Sequence, residues 1–308
     1  MSKRDLNMPR LPPRGVHRFP TQQPEPPEKQ EAESESESEQ ETESDLETES
    51  EQGTESEQEA ESEPEIFYPS LRDAIEVRGI LRLGLVPEGL PTEIVDLIID
   101  TAEYWPSVEA KLSGPTIVRQ DADRELLRTP PLCLEKQEDS ASPKILPHRG
   151  SHPCRKIIFN IWSQDQGWGG GPRNRNSRYD GSYSWFDAFI ISADSAERES
   201  SEERPLEARI KPGEPYFIPT GNKLQSNVVA RDEVEHHHIV WHHEDSTHAD
   251  SPEAWDTELF QGRGRGTLDG SAVREMKIGD SVSVWARARF PGWSNHVERL
   301  SVRVYWSV

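Results

Sequence analysis

A chain of 308 residues with only 32% hydrophobic content and a formal net charge of -22 leaves room for one or two ordinary domains beside a long polar segment. The acid is concentrated: residues 25–65 hold 19 of the 57 acids and one of the 35 bases, so the remainder carries 38 acids against 34 bases. A nearly neutral remainder gives no electrostatic footprint for nucleic acid, and the absence of a long apolar run or a secretory h-region argues against a membrane span or export.

Residues 1–66 join a Pro-rich basic start to a Glu/Ser repeat, and are expected to form a disordered acidic tail, since nothing in them can be buried and like charges repel. Several hydroxyls stand three residues before an acid, Ser34 and Glu37 for example, a pattern that acid-directed kinases favour. Residues 67–112 read as a short helical unit. Ser70 followed by Asp73 predicts a capped start. In "LPTEIVDLIIDTAEYWP", Ile94, Leu97, Ile98, Thr101, Ala102 and Trp105 fall at helical spacing, with Thr92 as cap, Glu93 and Asp96 in the first turn and Pro106 as the stop. "LPTEIVDLII" resembles the opening of an F-box, in which a Leu-Pro-x-Glu-Ile start leads into the first helix. The resemblance implies that Leu90, Pro91, Glu93, Ile94 and Ile98 dock on a Skp1 adaptor. The later Leu-rich turns and helices of that family are not evident.

Residues 113–153, rich in proline and polar side chains, read as a linker with a strand at "TIVRQ". From residue 154 to 308 the pattern changes to period two. "KIIFNIWS", "SYSWFDAFIIS", "VEHHHIVWHH", "SVSVWARARF" and "ERLSVRVYWSV" are strands, with "LEARIK", "YFIPT" and "SNVVA" as weaker ones. Val282, Val284, Ala286 and Ala288 are expected inward, with Ser283, Trp285, Arg287 and Arg289 outward. Leu300, Val302, Val304 and Trp306 share another face. Seven or eight strands with no strong helix between them predict a mainly β protein whose C-terminal antiparallel β-sandwich is jelly-roll-like. The blocks "DQGWGGG", "GSYSWFDA", "HIVWHHED" and "ARARFPGWSNHVE" resemble recurrent blocks of an uncharacterised group of fungal proteins, which implies no activity. The order of parts is similar to F-box proteins that end in a sugar-binding β-sandwich, a likeness of layout only.

Trp162 closes a strand and is expected in the core. The loop that follows offers a ligand surface. Trp168, Tyr183 and Trp185 present flat apolar faces for sugar rings or for aromatic and proline side chains. Asp165, Gln166 and Asn174 supply donors and acceptors, and Gly169, Gly170 and Gly171 permit close backbone approach. Trp293 and Asn295, after the Pro291-Gly292 turn, join this set if the two loops share an end. No strand-to-helix phosphate cradle is formed here. His236 and His238 could chelate a metal with Asp245 or His248, but Ile239 and Trp241 indicate that the face of His237 is the buried one, and no metal or cofactor is expected. "QGRGRG" reads as a strand connection rather than an RNA contact. Cys133 and Cys154 lack the spacing of a disulfide framework or zinc site. A reducing compartment, cytoplasmic or nuclear, is therefore expected.

These readings favour a non-enzymatic protein that binds a glycan or a protein partner. A ubiquitin-ligase adaptor is the alternative. A metal-dependent enzyme built on the His-rich strand comes third, and no catalytic signature is present.

Overall fold

Alternation written into the long strands decides the architecture. In the computed structural model, the described residues are 67–137, 142–169, 177–193 and 222–308, all within one compact unit, Ser62–Val308. The acidic tail, the strands expected at 206–211 and 216–220, and Gly170, Gly171 and Asn174 lie outside them. Eleven described strands are β1 (Ser107–Lys111), β2 (Thr116–Arg119), β3 (Arg124–Arg128), β4 (Leu134–Glu135), β5 (Lys144–Ile145), β6 (Cys154–Gln164), β7 (Ser184–Ile191), β8 (Lys223–Ser226), β9 (Glu235–His242), β10 (Ser281–Ala288) and β11 (Ser294–Trp306). One sheet runs β1-β11-β6-β9, with β2 end to end with β1 along the same edge of β11; the other runs β3-β10-β7-β8. Among β2, β3 and β6 to β11, the first sheet takes the first, eighth, third and sixth strands. The second takes the second, seventh, fourth and fifth. Every pairing in them is antiparallel. This is the strand order of a jelly roll.

The core lies between the sheets. Ile157, Phe159 and Ile161 of β6, Ile239 and Trp241 of β9, and Leu300, Val302, Val304 and Trp306 of β11 face Phe186 and Ala188, Leu224, and Val282, Val284 and Ala286. Each large member contributes roughly 1.5–3 kcal/mol by leaving water. A register shift between Val297 and Arg299 changes the phase of β11. Asn295 and Val297 are buried before it, and Leu300, Val302 and Val304 after it. The same period-two logic corrects the expectation for Trp162. With Ile157, Phe159, Ile161 and Ser163 all inward, its indole stands on the outer face, stacked on His236 at 4.2 Å.

The segment 113–153 is more than a linker. Its β2 and β3 are integral strands, and β1 from the preceding segment pairs with β11. Helices also interrupt the strand succession after β9: α3 (Pro252–Gln261) and the single-turn α4 (Ser271–Arg274). Two helices precede the sheets, α1 (Leu71–Leu83) and α2 (Thr92–Thr101). α1 opens with the expected capping box between Ser70 and Asp73. α2 begins at Thr92 with Pro91 in the cap position, so Thr92 is not the cap. It ends at Thr101, before Pro106. Trp105 therefore leaves the helix and folds back, fully buried, with its Nε1 donating to Asp100 at 2.9 Å.

α2 packs Val95 and Ile99, not the Ile94 and Ile98 stripe, against Trp105 and Tyr305 on the outer face of the first sheet. Polar clamps fix the helix pair there. Arg78 donates to the Val308 carbonyl at 2.8 Å and pairs with Asp96, and Arg149 pairs with Asp96 and Asp100. Cys133 and Cys154 are free, buried thiols that desolvation pushes up to about 12. No described helix is long and apolar enough to cross a membrane.

Candidate binding surface at one end of the sandwich

Jelly-roll order brings the β2–β3, β6–β7, β8–β9 and β10–β11 connections to one end, and their contacts show it. The Asp121 amide donates to the Ala288 carbonyl, the Ala230 amide to Asp165, and the Trp168 ring lies across Gly292. The loops of Trp168 and Trp293 therefore share an end. Gly292 sits at φ +87°, and a Cβ there would meet the Trp168 ring at 2.7 Å, so the close approach of indole to backbone depends on glycine.

The expected ligand residues divide into two groups. Asp165 is fully buried, and its carboxylate accepts from the amides of Gly167 (2.8 Å), Ala230 (2.5 Å) and Arg231 (3.1 Å). It ties the β6–β7 loop to the β8–β9 loop, and a carboxylate spent on backbone amides is not available to a ligand. Asn295 is also fully buried. Its Nδ2 donates to the Trp185 carbonyl at 2.9 Å, and its Oδ1 accepts from Asn227, which also bonds Ser184 and Ser163. That polar knot joins the two sheets where they meet the loops. Trp185 is buried on the outer face of the second sheet, its Nε1 donating to Asp187 at 2.9 Å, with the Arg289 guanidinium 5.3 Å from its ring. These three are structural, a correction forced by burial and by saturated hydrogen bonding.

Trp168, Trp293, Tyr183 and Gln166 remain at the surface. Trp168 is 61% exposed, and the Gln166 side chain braces its carbonyl at 2.7 Å. Tyr183 meets Trp293 edge-on at 5.3 Å and Phe290 at 4.3 Å. Phe290 is itself partly exposed and sits at φ +66°, where a bulky side chain is strained. Sequence reading missed Phe290 because a positive φ at a non-glycine residue leaves no compositional trace. Beside this aromatic group runs a groove of about 360 Å³ lined by Ile117, Arg119, Gln120, Trp293, Ser294 and His296. The surface can stack planar or apolar groups on Trp168 and Trp293 and hydrogen-bond them from Arg119, Gln120 and Ser294.

The other motifs resolve structurally. His237 is buried, as Ile239 and Trp241 indicated. His236 and His238 share the side-chain Oδ1 of Asn160 at 3.2 and 2.8 Å, and no group of three or more His, Cys, Asp or Glu among the described residues is placed to hold a metal. In "QGRGRG", Arg263 donates to the Val240 carbonyl and Arg265 pairs with Glu258 while stacking on Trp255 at 3.5 Å, so both arginines turn inward. Gly264 lies so close to β8 that a Cβ would fall 1.7 Å from the Lys223 carbonyl oxygen. Asp187 is a buried structural acid. Its second oxygen accepts from Arg287 Nε, and Arg287 and Arg289 both converge on Asp123.

The F-box-like residues are split by the docking of α2. Leu90 is half-buried in the cluster beneath the helix, whereas Pro91 and Glu93 are exposed. Ile94, Leu97 and Ile98 are 44%, 62% and 38% exposed, and Leu83, Leu85 and Val86 nearby in sequence are exposed as well.

Fold and surface together define a jelly-roll β-sandwich with a helical pair fastened to one sheet and an aromatic loop end. Comparison with family models, curated proteins and solved structures returns no match.

Proposed function

We propose that this chain is a recognition protein that performs no chemical step, and that the jelly roll binds its ligand, a protein partner or a glycan, at the loop end. The observation that carries this reading is Trp168, an indole left largely in water yet held in one place by the Gly292 backbone and the Gln166 brace. Exposed aromatic rings on a rigid scaffold lose little entropy on binding and gain large contact area. The strained Phe290 and the adjoining groove support the same surface. Trp168→Ala is expected to weaken ligand binding by tenfold or more, an effect of about 1.4 kcal/mol or greater, with little change in unfolding free energy. Glycan-array and peptide-array screens of both proteins, paired with urea melts, check it. Binding unchanged in the variant removes the loop reading.

A second reading has its own observation. The exposed apolar strip of Ile94, Leu97 and Ile98, backed by Leu83, Leu85 and Val86, supports docking of α2 on a partner, as the F-box resemblance implies for Skp1. Under this reading Ile94→Ala with Leu97→Ala and Ile98→Ala abolishes co-purification of Skp1 while the far-UV and near-UV spectra persist. Skp1 retained by that triple variant ends the adaptor reading.

A further inference from the structure

The outer face of the first sheet, continuous with the groove beside Trp293, carries a row of side chains that none of the assignments above uses. Arg299 of β11, Trp162 of β6 and His236 of β9 are direct cross-strand neighbours. The Arg299 guanidinium carbon lies 4.8 Å from the centre of the Trp162 ring, and Trp162 stacks on His236 at 4.2 Å with 5° between the planes. His238 lies in the next row at 6.4 Å from His236, both bonded to Asn160. His296 lies in the row toward the loop end, between Ile117 and Gln164. The β-bulge in β11 makes this grouping. Without the shift between Val297 and Arg299, residues three apart would point to opposite faces.

Two features set this row apart from ordinary cross-strand packing. Arg299 is exposed and has no ion-pair partner among the described residues, although Glu298 is its chain neighbour. Two nearby-strand acids are engaged elsewhere: Glu109 of β1 pairs with Arg303 and Lys111, and Glu235 at the start of β9 pairs with Arg178 and Arg231. Arg299 is thus an exposed positive charge, without an ion pair among the described residues, on a unit that is otherwise nearly neutral. The guanidinium also lies over an indole while the residue is exposed, and an arginine so placed can receive a planar or tetrahedral oxyanion. His236 is kept below its ordinary value by burial, and then by His238 and Arg299, so it stacks as a neutral ring and Arg299 supplies the charge.

We propose that this row is the anion-receiving half of the ligand surface, so that the ligand is a peptide with an acidic side chain, a carboxylate or a phosphate, bound by Arg299 while an apolar neighbour stacks at Trp168 and Trp293. The inference rests on the recognition reading given above and narrows its ligand class. A peptide fits better than a nucleic acid because the row is short and the rest of the unit is nearly neutral, whereas a phosphate backbone needs an extended basic track.

Fluorescence anisotropy on the full chain tests it with three labelled peptides of one sequence, bearing glutamate, phosphoserine or glutamine at the same positions. The acidic and phosphorylated peptides are expected to bind, and the glutamine peptide at least about tenfold more weakly. Whichever of the first two binds tighter identifies the oxyanion. Arg299→Gln is expected to cost about tenfold for the better peptide, and Arg299→Lys less, because charge is kept while the stacked fork is lost. Equal binding of all three peptides, or equal binding by Arg299→Gln with an unaltered urea melt, overturns the inference. So does tighter, Arg299-dependent binding of a labelled single-stranded oligonucleotide. Trp168→Ala in the same assay separates the two proposals. Loss with Trp168→Ala but not with Arg299→Gln leaves the recognition reading and removes the anion row; the reverse pattern removes the loop end.

Discussion

Asp187→Ala is expected to lower the unfolding free energy by about 3 kcal/mol, a shift in urea midpoint with the slope unchanged. Asp187 and Arg287 stand on the outer face of the second sheet but are withdrawn from water, at 6% and 5% relative exposure. One carboxylate oxygen of Asp187 accepts from Trp185 Nε1 at 2.9 Å and the other from Arg287 Nε. Truncation orphans a buried indole N–H and removes one of two counter-charges of a buried guanidinium, leaving Asp123 at 2.5 Å as the other. Breaking a buried pair from one side is costly because the remaining charge stays desolvated. Asp187→Asn separates the contributions. Burial raises the carboxyl pKa of Asp187 against the opposing pull of Arg287, so the fold tolerates an uncharged group there better than a missing one. The amide keeps an acceptor for Trp185, and its cost is expected to be about half that of alanine. Equal loss in the two variants would show that charge alone matters at this position.

The same residues show why part of the molecule was legible in its sequence and part was not. Burial of Val282, Val284, Ala286 and Ala288 follows from alternation alone, and so does that of His237 with Ile239 and Trp241. The mainly β sandwich follows from counting such runs. The fate of Asp165 could not be read that way, because its amide partners at 230 and 231 are remote in sequence and only the strand order brings them near. Asn295 and Trp185 mislead for the same reason: polar and aromatic residues near loop ends are as suitable for joining sheets as for binding ligands. α2 misleads differently. Seven of its ten residues after Pro91 are not charged, so it has two apolar sides, and periodicity cannot say which one the sheet covers.

One feature is written locally in the sequence without standing out from its strand-rich surroundings. Ser251, Pro252 and Gly262 bracket α3 as cap, first-turn proline and left-handed terminator at φ +71°. Strand β2 is the one expected at "TIVRQ", whereas β3, five residues with three charges at the margin of a proline-rich stretch, is too short for a periodic signal to stand out. The β-bulge of β11 has no glycine to announce it, yet it decides which side chains share a face with Arg299.

His237 should make the fold acid-sensitive over an unusual range. The residue is 7% exposed, its Nε2 has no hydrogen-bond partner among the described residues, and the Tyr179 ring lies 6.3 Å away. Burial is the main cause that lowers its pKa from 6.5 to about 4, with Glu235 opposing and Arg178 and His236 assisting. The folded chain therefore holds a neutral imidazole where the unfolded chain holds a protonated one. Because the folded value is the lower, the stabilising contribution is complete above about pH 6.5 and is lost as pH falls from there toward about 4, by roughly 3 kcal/mol in all. Lowered pKa values at His236 and His243 act in the same direction, so the absolute slope is not the diagnostic quantity. The diagnostic is the difference between the parent and His237→Leu, which keeps an apolar body of similar size and cannot take up a proton. Urea melts at half-unit steps should show the parent losing stability between pH 6.5 and 4 while the variant stays flatter. Below about 4.5 the depressed carboxyls of Glu103, Glu258 and Asp269 add their own loss to both proteins and cancel in the difference. Parallel profiles across pH 6.5 to 4 would mean that the imidazole finds a proton acceptor when charged, and that the end of β9 opens to water before the sandwich unfolds.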